Sequence, residues 1–242
     1  MLVKPARYAD IKRRMAAVSL LTLIKEEKTY RELSEILDLP INVIHRYVKR
    51  QVLPTTKRAR QIIRKLSPYL RIEEYVKNLV SIDENGYIDN SRLVSNINLL
   101  RLATYKIIEK YEGMRITKIV ASAVDGVPFG TLLANEMERG LVIAKTEKEA
   151  GVHDFYEESY ILGNSAVVKT LYVPRGSIRK GDSIVIVDDI MREGLAQLAL
   201  VRLVKKAKAS VRGIAVLLTI GSKWRRTLGK EEVEVYSIAH LE

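Results

Sequence analysis

Cysteine is missing from this 242-residue chain, and tryptophan, phenylalanine and histidine are scarce. Without cysteine there is no disulfide, no thiolate nucleophile and no cysteine-ligated metal. The three histidines, His45, His153 and His240, are far apart in the sequence, which argues against a zinc centre. No run of about 18 apolar residues occurs, and charges interrupt the amino terminus, so neither a membrane span nor a signal peptide is expected. We therefore predict a soluble, cytoplasmic protein.

Charge is the most informative feature of the composition because it is unevenly distributed. Residues 1–80 contain 18 Lys and Arg against 8 Asp and Glu, a net charge of +10, whereas residues 81–242 carry +2. A compact region this basic usually binds a polyanion. Hydrophobic residues make up 47% of the chain, which is enough for a core in each of two modest domains. We predict one domain over residues 1–80 and a second over residues 81–242.

The clearest signal for a binding site is residues 183–194, Ser-Ile-Val-Ile-Val-Asp-Asp-Ile-Met-Arg-Glu-Gly. Four branched apolar residues predict a buried strand, and Asp188 and Asp189 follow at its carboxyl end. After Gly194, apolar residues recur at helical spacing. Open α/β sheets bind ligands beyond the carboxyl ends of strands, and helix N-termini bind anions. A ligand whose phosphate binds the loop and whose vicinal hydroxyls bind the two carboxylates is a sugar phosphate. The alternative is that one of these acids only caps the following helix, which is common in α/β proteins.

This stretch resembles the phosphoribosyl pyrophosphate (PRPP) signature of the type I phosphoribosyltransferases. The form Asp-Asp-Ile-Met-Arg-Glu-Gly looks most like the xanthine phosphoribosyltransferases and the purine operon repressors, and the resemblance covers roughly residues 90–242. It implies binding of PRPP with Mg²⁺, and a homodimer. The residues it assigns to PRPP are Asp188, Asp189, Ile190, Met191, Arg192, Glu193, Gly194 and Leu195.

The resemblance also implies two segments that meet pyrophosphate. In the first, Gly126 lets backbone amides approach an anion closely. Asp125 departs from the family, which often has a neutral or basic residue there, so it either binds a bridging Mg²⁺ or caps the following helix. The second segment contains two lysines that resemble the basic pyrophosphate-binding residues of the family. The alternative is that both lysines are solvated side chains among glutamates. The pyrophosphate candidates are Ala123, Val124, Asp125, Gly126, Lys145 and Lys148, with Asp125 as the metal candidate.

A flap and a base-binding tail are further expectations from the family. Residues 151–160 and the alternating residues 165–172 resemble a hairpin or loop that closes over the bound sugar, and residues 156–160 are alternatively a dimer contact. Trp224 falls near an aromatic residue that contacts the purine in the xanthine phosphoribosyltransferases, so it is the base-binding candidate, although a lone tryptophan more often serves packing. The phosphate loop lacks the Ser or Thr of many active members, so no catalytic residue is assigned.

The basic amino-terminal region is predicted to be all-α and to contain a helix-turn-helix. A T-x-x-E capping box precedes a second helix at residues 30–37, and Asp38 and Pro40 mark a tight turn to a third helix at residues 41–50. That helix is expected to bury Ile41, Ile44 and Val48, and a fourth follows at residues 56–66. The third helix is expected to present a polar face to DNA, formed by Asn42, His45, Arg46, Lys49 and Arg50. The further candidates, for contact with the DNA phosphates, are Tyr30, Arg31, Lys57 and Arg58.

Beyond this region, strands and helices alternate, which favours an α/β fold with a mainly parallel sheet and flanking helices. The predicted elements are a connecting helix at 68–79, a turn at 83–86, helices at 92–111 (capped by Ser91) and 129–139, and strands at 116–122, 141–144, 211–218 and 233–238. A helix-turn-helix joined to a PRPP site resembles the purine operon repressors and related archaeal regulators. We therefore expect a regulator that binds double-stranded DNA and senses PRPP or a nucleotide. The alternative is a purine phosphoribosyltransferase whose amino-terminal domain serves oligomerisation.

Overall fold

The structure, a computed structural model, describes residues 6–162 and 167–242. Residues 1–5 of the predicted first domain lie outside the described residues, as do residues 163–166, which include the start of the predicted alternating stretch. Within the described ranges, no helix combines the length and apolar character needed to cross a lipid bilayer.

The carboxyl-terminal part is built on a five-stranded sheet whose order is β4-β3-β7-β8-β9 and whose neighbouring strands are all parallel. The strands are β3 (Lys118–Ser122), β4 (Gly140–Ala144), β7 (Ser183–Met191), β8 (Ser210–Ile220) and β9 (Val235–Leu241). Strand β7 is the central strand, and helices pack on both faces of the sheet. Its residues Ile184, Val185, Ile186 and Val187 are therefore fully buried. The predicted mainly parallel sheet is confirmed.

Alternate residues of β7 point to opposite faces and contribute to two different cores. Val185 and Val187 belong to the core that contains α7 and α8, whereas Ile184 and Ile186 belong to the core that contains α9. The helices of this part are α5 (Ile72–Asn78), α6 (Ser91–Ser95), α7 (Ile97–Lys110), α8 (Gly126–Met137), α9 (Leu195–Lys206) and α10 (Lys223–Leu228). The predicted flanking helices are therefore present on both sides of the sheet.

Two antiparallel hairpins stand apart from the central sheet. The first pairs β1 (Ser81–Ile82) with β2 (Ile88–Asp89) across the predicted turn. The second pairs β5 (Phe155–Ile161) with β6 (Val168–Pro174), where a flap hairpin was one of the expectations. Strand β5 packs on α9, and Lys145 bridges to Tyr172 of β6, so the second hairpin covers the edge of the sheet beside β4.

The amino-terminal part consists of α1 (Ala6–Glu27), α2 (Tyr30–Leu37), α3 (Ile41–Val48) and α4 (Thr56–Leu66). The capping box forms as predicted, because Thr29 Oγ1 accepts from the Glu32 N–H at 3.3 Å and Glu32 accepts from the Thr29 N–H at 2.7 Å. Asp38 adopts the left-handed conformation, with φ of 55°, at the turn between α2 and α3. These local features position α3 across its neighbours with one face toward solvent.

Helix α1 belongs to both parts of the molecule. Its residues Val18 and Leu21 lie in the core formed with α2, α3 and α4, whereas Leu23 lies in the core of the sheet domain. A helix that is apolar on several sides is buried on several sides. The amino-terminal helices therefore pack directly on α7 through α1.

Several predicted boundaries and burial assignments were wrong. Helix α3 ends at Val48 and buries Ile44 and Tyr47, while Ile41 is 48% exposed because it lies in the first turn, beside Pro40. The connecting helix 68–79 is split into a 3₁₀ turn (Ser67–Tyr69) and α5, since Leu70 between them has an extended backbone.

The long helix predicted over residues 92–111 is also two helices. They are separated at Asn96, whose Oδ1 accepts from the Leu99 N–H at 3.0 Å and so caps α7. Ser91 is not a cap: it lies inside α6, and its N–H donates to Asp89 Oδ1 at 2.9 Å. A short polar side chain can cap a helix only from outside it, which Asn96 does and Ser91 does not.

Candidate functional site

The acidic pair lies within the carboxyl-terminal half of β7 rather than after it, because the strand continues to Met191. Asp188 is buried, its Oδ2 accepts a 2.7 Å hydrogen bond from Gln197 Nε2, and its Oδ1 accepts from the Asp189 N–H at 3.1 Å. Burial, followed by the charge of Asp189, raises the pKa of Asp188 well above its ordinary value. Both oxygens of Asp188 are therefore engaged by protein donors.

Asp189 has a different environment, although it is almost equally buried. Its Oδ2 accepts a hydrogen bond from Asn90 Nδ2, and the same amide lies 3.4 Å from Asp125 Oδ2. The two carboxylates, both of which were expected to bind a sugar diol, are therefore not equivalent. Asp188 points into the protein toward Gln197, and Asp189 faces the side where Asn90 and Asp125 meet.

The phosphate-loop candidates form a tight turn between β7 and α9. Gly194 precedes α9 with φ of 76°, and a side chain there would lie 3.1 Å from Trp224 Cβ. No side chain caps α9, so its first N–H groups, beginning with Leu195, are directed at the loop. Glu193 is 3.4 Å from Lys223 Nζ, an ion pair that directs its carboxylate toward α10. The turn therefore has the geometry of an anion site.

The rest of this segment is less uniform. Ile190 is half-buried and Met191 is fully buried in the core beneath α9, so their side chains serve packing. Arg192 Nη1 donates to the Gly86 carbonyl of the first hairpin at 3.1 Å. The side chain that was expected to bind an anion is therefore bound to a backbone carbonyl in this structure.

The first pyrophosphate candidate, residues 123–126, lies against the acidic pair. A Cβ atom on Gly126 would be 2.7 Å from Asp188 Oδ1 and 3.2 Å from Asp188 Cα, so only glycine permits this approach. The Ala123–Val124 peptide bond is cis, and the Val124 side chain is 79% exposed. Asp125 makes no side-chain hydrogen bond to α8, so its carboxylate does not cap that helix, which was one of the two alternatives for this residue.

The two pyrophosphate lysines both form ion pairs with glutamates. Lys145 pairs with Glu149, and Lys148 Nζ lies 3.1 Å from Glu157 Oε2 on the second hairpin. Lys148 also borders a cavity of about 430 Å³ at the base of that hairpin. This arrangement matches the alternative in which both lysines are surface groups among glutamates.

Trp224 borders the phosphate loop instead of standing free as a platform for a base. Its indole N–H donates to the Gly221 carbonyl at 3.0 Å, and the Arg225 guanidinium lies 5.1 Å from the ring centroid. The ring also packs on the core beneath α9. Contact with Gly194 makes Trp224 a neighbour of any phosphate bound in the turn.

Gln197 and Asn90 are site residues that the sequence pattern did not identify. Gln197 is a single polar residue on the buried face of α9, and a buried amide requires a partner, so its position was a usable signal. Asn90 lies among Asp89 and Ser91, a cluster that resembles an ordinary helix start, and nothing local marks it. Asn90 reaches Asp189 only because it directly follows β2 of the first hairpin, and the position of that hairpin is a feature of the tertiary structure.

The acidic groups suit a cation that arrives with its own ligands. Asp125 and Asp189 approach one amide group, so their carboxylates are near a common position. Among the described residues there is no group of three His, Cys, Asp or Glu that could hold a metal alone. Mg²⁺ typically uses one or two carboxylates together with substrate phosphates. The residues therefore fit Mg²⁺ bound as a complex with PRPP.

On the amino-terminal part, the predicted polar face of α3 is exposed. Asn42, His45, Arg46 and Lys49 all point to solvent. Arg50 differs, because it lies beyond the end of α3 with φ of 56° and donates to Asn98 Oδ1 at 2.6 Å. Arg50 therefore contacts α7 instead of extending the face of α3.

The phosphate-binding candidates flank this face on both sides. The Tyr30 ring lies 5.6 Å from the His45 ring, and Arg31 is 3.7 Å from Glu35. At the start of α4, Lys57 is exposed and Arg58 is half-buried. All of these side chains therefore lie next to α3 or its neighbouring helices.

The family model described as "Phosphoribosyl transferase domain" matches residues 91–235, which is more than half of the chain. The chain belongs to the phosphoribosyltransferase family. An adenine phosphoribosyltransferase from Brachyspira hyodysenteriae is 25% identical over 171 residues, which cover 70% of this chain and 96% of that protein. A xanthine phosphoribosyltransferase from Agathobacter rectalis is 30% identical over 128 residues, covering 52% of this chain and 67% of that protein.

A solved structure agrees with this assignment. The crystal structure of adenine phosphoribosyltransferase from Rhodothermus marinus has a TM-score of 0.62 and 26% identity, and the match covers 70% of this chain and 98% of that one. The phosphoribosyltransferase core of this chain therefore corresponds to nearly the whole of that protein. Residues 1–90 of this chain lie outside the family model.

Proposed function

We propose that this phosphoribosyltransferase binds PRPP with Mg²⁺ and transfers its phosphoribosyl group to a purine base. One observation carries the proposal: at the carboxyl end of β7, the acidic pair lies against the pyrophosphate loop through the contact of Asp188 with Gly126, and the phosphate turn at Gly194 follows the strand directly. The names of the relatives, adenine and xanthine phosphoribosyltransferase, support a purine as the acceptor.

The residues bind the three parts of PRPP separately. The N–H groups at the start of α9 receive the 5′-phosphate, because they are uncapped and the helix dipole favours an anion there. Asp189 accepts from the ribose hydroxyls. The backbone of residues 123–126 receives the pyrophosphate, since Gly126 allows the chain to approach closely. These contacts hold the anomeric carbon in a fixed position for the acceptor.

The reaction needs no nucleophile from the protein. A nitrogen of the base attacks the anomeric carbon, the bond from that carbon to the pyrophosphate oxygen breaks, and pyrophosphate leaves. When bound, Mg²⁺ would be held by Asp125 and Asp189 and would neutralise the leaving pyrophosphate. Positioning and charge neutralisation supply most of the rate enhancement in such a reaction. Because residues 192–195 contain no Ser or Thr, the phosphate donors of this loop are its backbone amides and the Arg192 guanidinium.

The test is release of pyrophosphate from PRPP and Mg²⁺ with adenine, hypoxanthine, guanine or xanthine as acceptor, and with orotate as a pyrimidine comparison. We expect turnover with at least one purine and none when Mg²⁺ is chelated. The Asp189→Asn variant should lose turnover, whereas Asp154→Asn, on the loop before β5, should not. Calorimetry that detects PRPP binding without turnover of any base would contradict the transferase proposal and leave a PRPP-binding protein.

We also propose that residues 1–80 form a helix-turn-helix domain that binds double-stranded DNA, with residues 81–242 as the PRPP-binding domain. The specific support is the exposed face of α3, where Asn42, His45, Arg46 and Lys49 point to solvent from a region of net charge +10. Two such domains in a homodimer would contact half-sites about one DNA turn apart. In this proposal PRPP or a nucleotide is the effector.

Binding to DNA from upstream of the protein's own gene, with and without PRPP, tests the second proposal. We expect affinity to fall steeply with salt concentration, since each phosphate contact releases counterions. Arg46→Ala should reduce discrimination against unrelated DNA, whereas Lys57→Ala should weaken binding to all sequences similarly. Equal affinity of wild type and an Asn42, Arg46 and Lys49 triple alanine variant would contradict a DNA-binding role for α3.

A further inference from the structure

The hairpin formed by β1 and β2, together with Asn90, is bonded to three separate parts of the proposed PRPP site. Asn90 Nδ2 donates to Asp189 Oδ2 and lies 3.4 Å from Asp125 Oδ2. At the turn of the hairpin, the Gly86 carbonyl accepts from Arg192 Nη1 at 3.1 Å. One short segment therefore contacts the ribose acid, the pyrophosphate loop and the phosphate loop.

Each of these contacts uses a group that the ligand itself needs. The amide of Asn90 places N–H donors between Asp125 and Asp189, where the positive charge of a PRPP-bound Mg²⁺ is expected. The Asn90 amide and the cation compete for the same carboxylate oxygens. Arg192, in turn, cannot donate fully to a phosphate while its guanidinium is held by the Gly86 carbonyl. The hairpin thus occupies hydrogen-bonding groups that PRPP and Mg²⁺ would use.

We propose that residues 81–90 form a latch that lies across the PRPP site and is displaced when PRPP binds with Mg²⁺. This inference rests on the PRPP binding proposed above. The Asn90 amide substitutes for the cation between Asp125 and Asp189, and the ligand displaces it. Release frees Arg192 for the 5′-phosphate at the same time, because both contacts belong to one segment.

The latch is built to open at low cost. Its two strands contain two residues each, and a two-stranded hairpin of that size has little stability of its own. Of its large apolar side chains, Tyr87 is 75% exposed, Ile82 is also exposed, and only Ile88 packs, half-buried, against the core. Segments with few buried contacts open locally at low free energy. The site contacts are therefore a large part of what holds the latch in place.

Both ends of the latch continue into residues that contact the amino-terminal helices. Before it, the Tyr75 hydroxyl donates to Glu26 at the end of α1. After it, Asn96 Nδ2 donates to the same Tyr75 hydroxyl at 3.0 Å, and Asn98 accepts from Arg50 at 2.6 Å. The segments on either side of the latch are therefore hydrogen-bonded to each other and to the amino-terminal part.

Hydrogen exchange on the unmodified full chain tests the latch directly. On addition of PRPP and Mg²⁺, we expect amides of residues 81–90 to exchange at least about threefold faster, which is opposite to the usual effect of a ligand. Amides of residues 123–127 and 192–196 should exchange more slowly. Protection or no change in residues 81–90, together with protection of the two loops, overturns the latch alone. No protection anywhere overturns the latch and the proposed PRPP binding together.

The Asn90→Ala variant gives an independent measurement, with Asn85→Ala as the matched control. Asn90 makes no side-chain capping bond to α6, and Asn85 is an exposed asparagine at the turn of the same hairpin. Removing an internal competitor raises the fraction of molecules that can bind, so Asn90→Ala should bind PRPP roughly tenfold more tightly. Asn85→Ala should bind like the wild type. Weaker PRPP binding by Asn90→Ala would assign the amide to ligand binding and overturn the latch.

Discussion

Gln197 Nε2 donates a 2.7 Å hydrogen bond to Asp188 Oδ2, and both side chains are buried between α9 and β7. The bond stabilises the ionised form of Asp188, and it opposes burial and the charge of Asp189, which raise the pKa of Asp188. Gln197 thereby extends toward lower pH the range over which Asp188 is ionised.

Replacing Gln197 by leucine should raise the pKa of Asp188 further. The charge that attracts Mg²⁺ then develops at higher pH, so the pH dependence of PRPP binding should move upward. Binding measured by calorimetry from pH 5 to pH 9 would show this shift. The control Gln51→Leu, at an exposed position in the amino-terminal part, should leave the pH dependence unchanged. An unchanged profile for Gln197→Leu would mean that the bond has no electrostatic role.

Replacing Asp188 by asparagine should stabilise the fold at neutral pH while it weakens PRPP binding. The folded pKa of Asp188 is raised, so ionisation costs stability; the cost is absent below the unfolded pKa of about 4 and grows as pH rises through the folded pKa. The melting temperature of Asp188→Asn should exceed that of the wild type at pH 7, at roughly 2–4 °C per kcal/mol, and the gap should shrink toward pH 4. A gap that widens on acidification would contradict the assigned direction.

Replacing Gly126 by alanine should remove PRPP binding with a modest loss of stability. The new methyl group would lie 2.7 Å from Asp188 Oδ1, which forces the pyrophosphate loop and the acidic pair apart. Such overpacking costs about 1–3 kcal/mol. Gly176→Ala is the matched control, because a Cβ there meets no atom within 4 Å. PRPP affinity and thermal unfolding distinguish the two variants, and wild-type affinity in Gly126→Ala would show that the close approach is dispensable.

Trp224 is the only tryptophan in the sequence, so its fluorescence reports on the phosphate loop without labelling. Its Cβ atom would be 3.1 Å from a Cβ on Gly194. Occupation of the turn by the 5′-phosphate should therefore change the emission of Trp224, and ribose 5-phosphate alone should produce part of the change. Adenine alone should produce little of it. A response to the base but not to the sugar phosphate would return Trp224 to the base-binding role predicted from the resemblance.

The local pattern determined much of the fold. The capping box at Thr29, the left-handed turn at Asp38 and the buried run of β7 follow from side-chain chemistry within a few residues, and each was predictable. The alternation of strands and helices likewise predicted the parallel sheet. Element ends were less predictable, since capping by Asn96 and an extended Leu70 break helices that the periodicity continues.

The site was predictable in position but not in its internal partners. The sequence by itself determined that two acids, a glycine turn and a glycine loop lie at the carboxyl ends of strands, because those features are contiguous with the strands in the chain. Only the tertiary structure decided that Asp188 faces Gln197, that Asp189 faces Asn90, and that Lys145 and Lys148 pair with glutamates. Those partners are distant in sequence or depend on side-chain direction, and burial and charge neutralisation in the folded chain select among them.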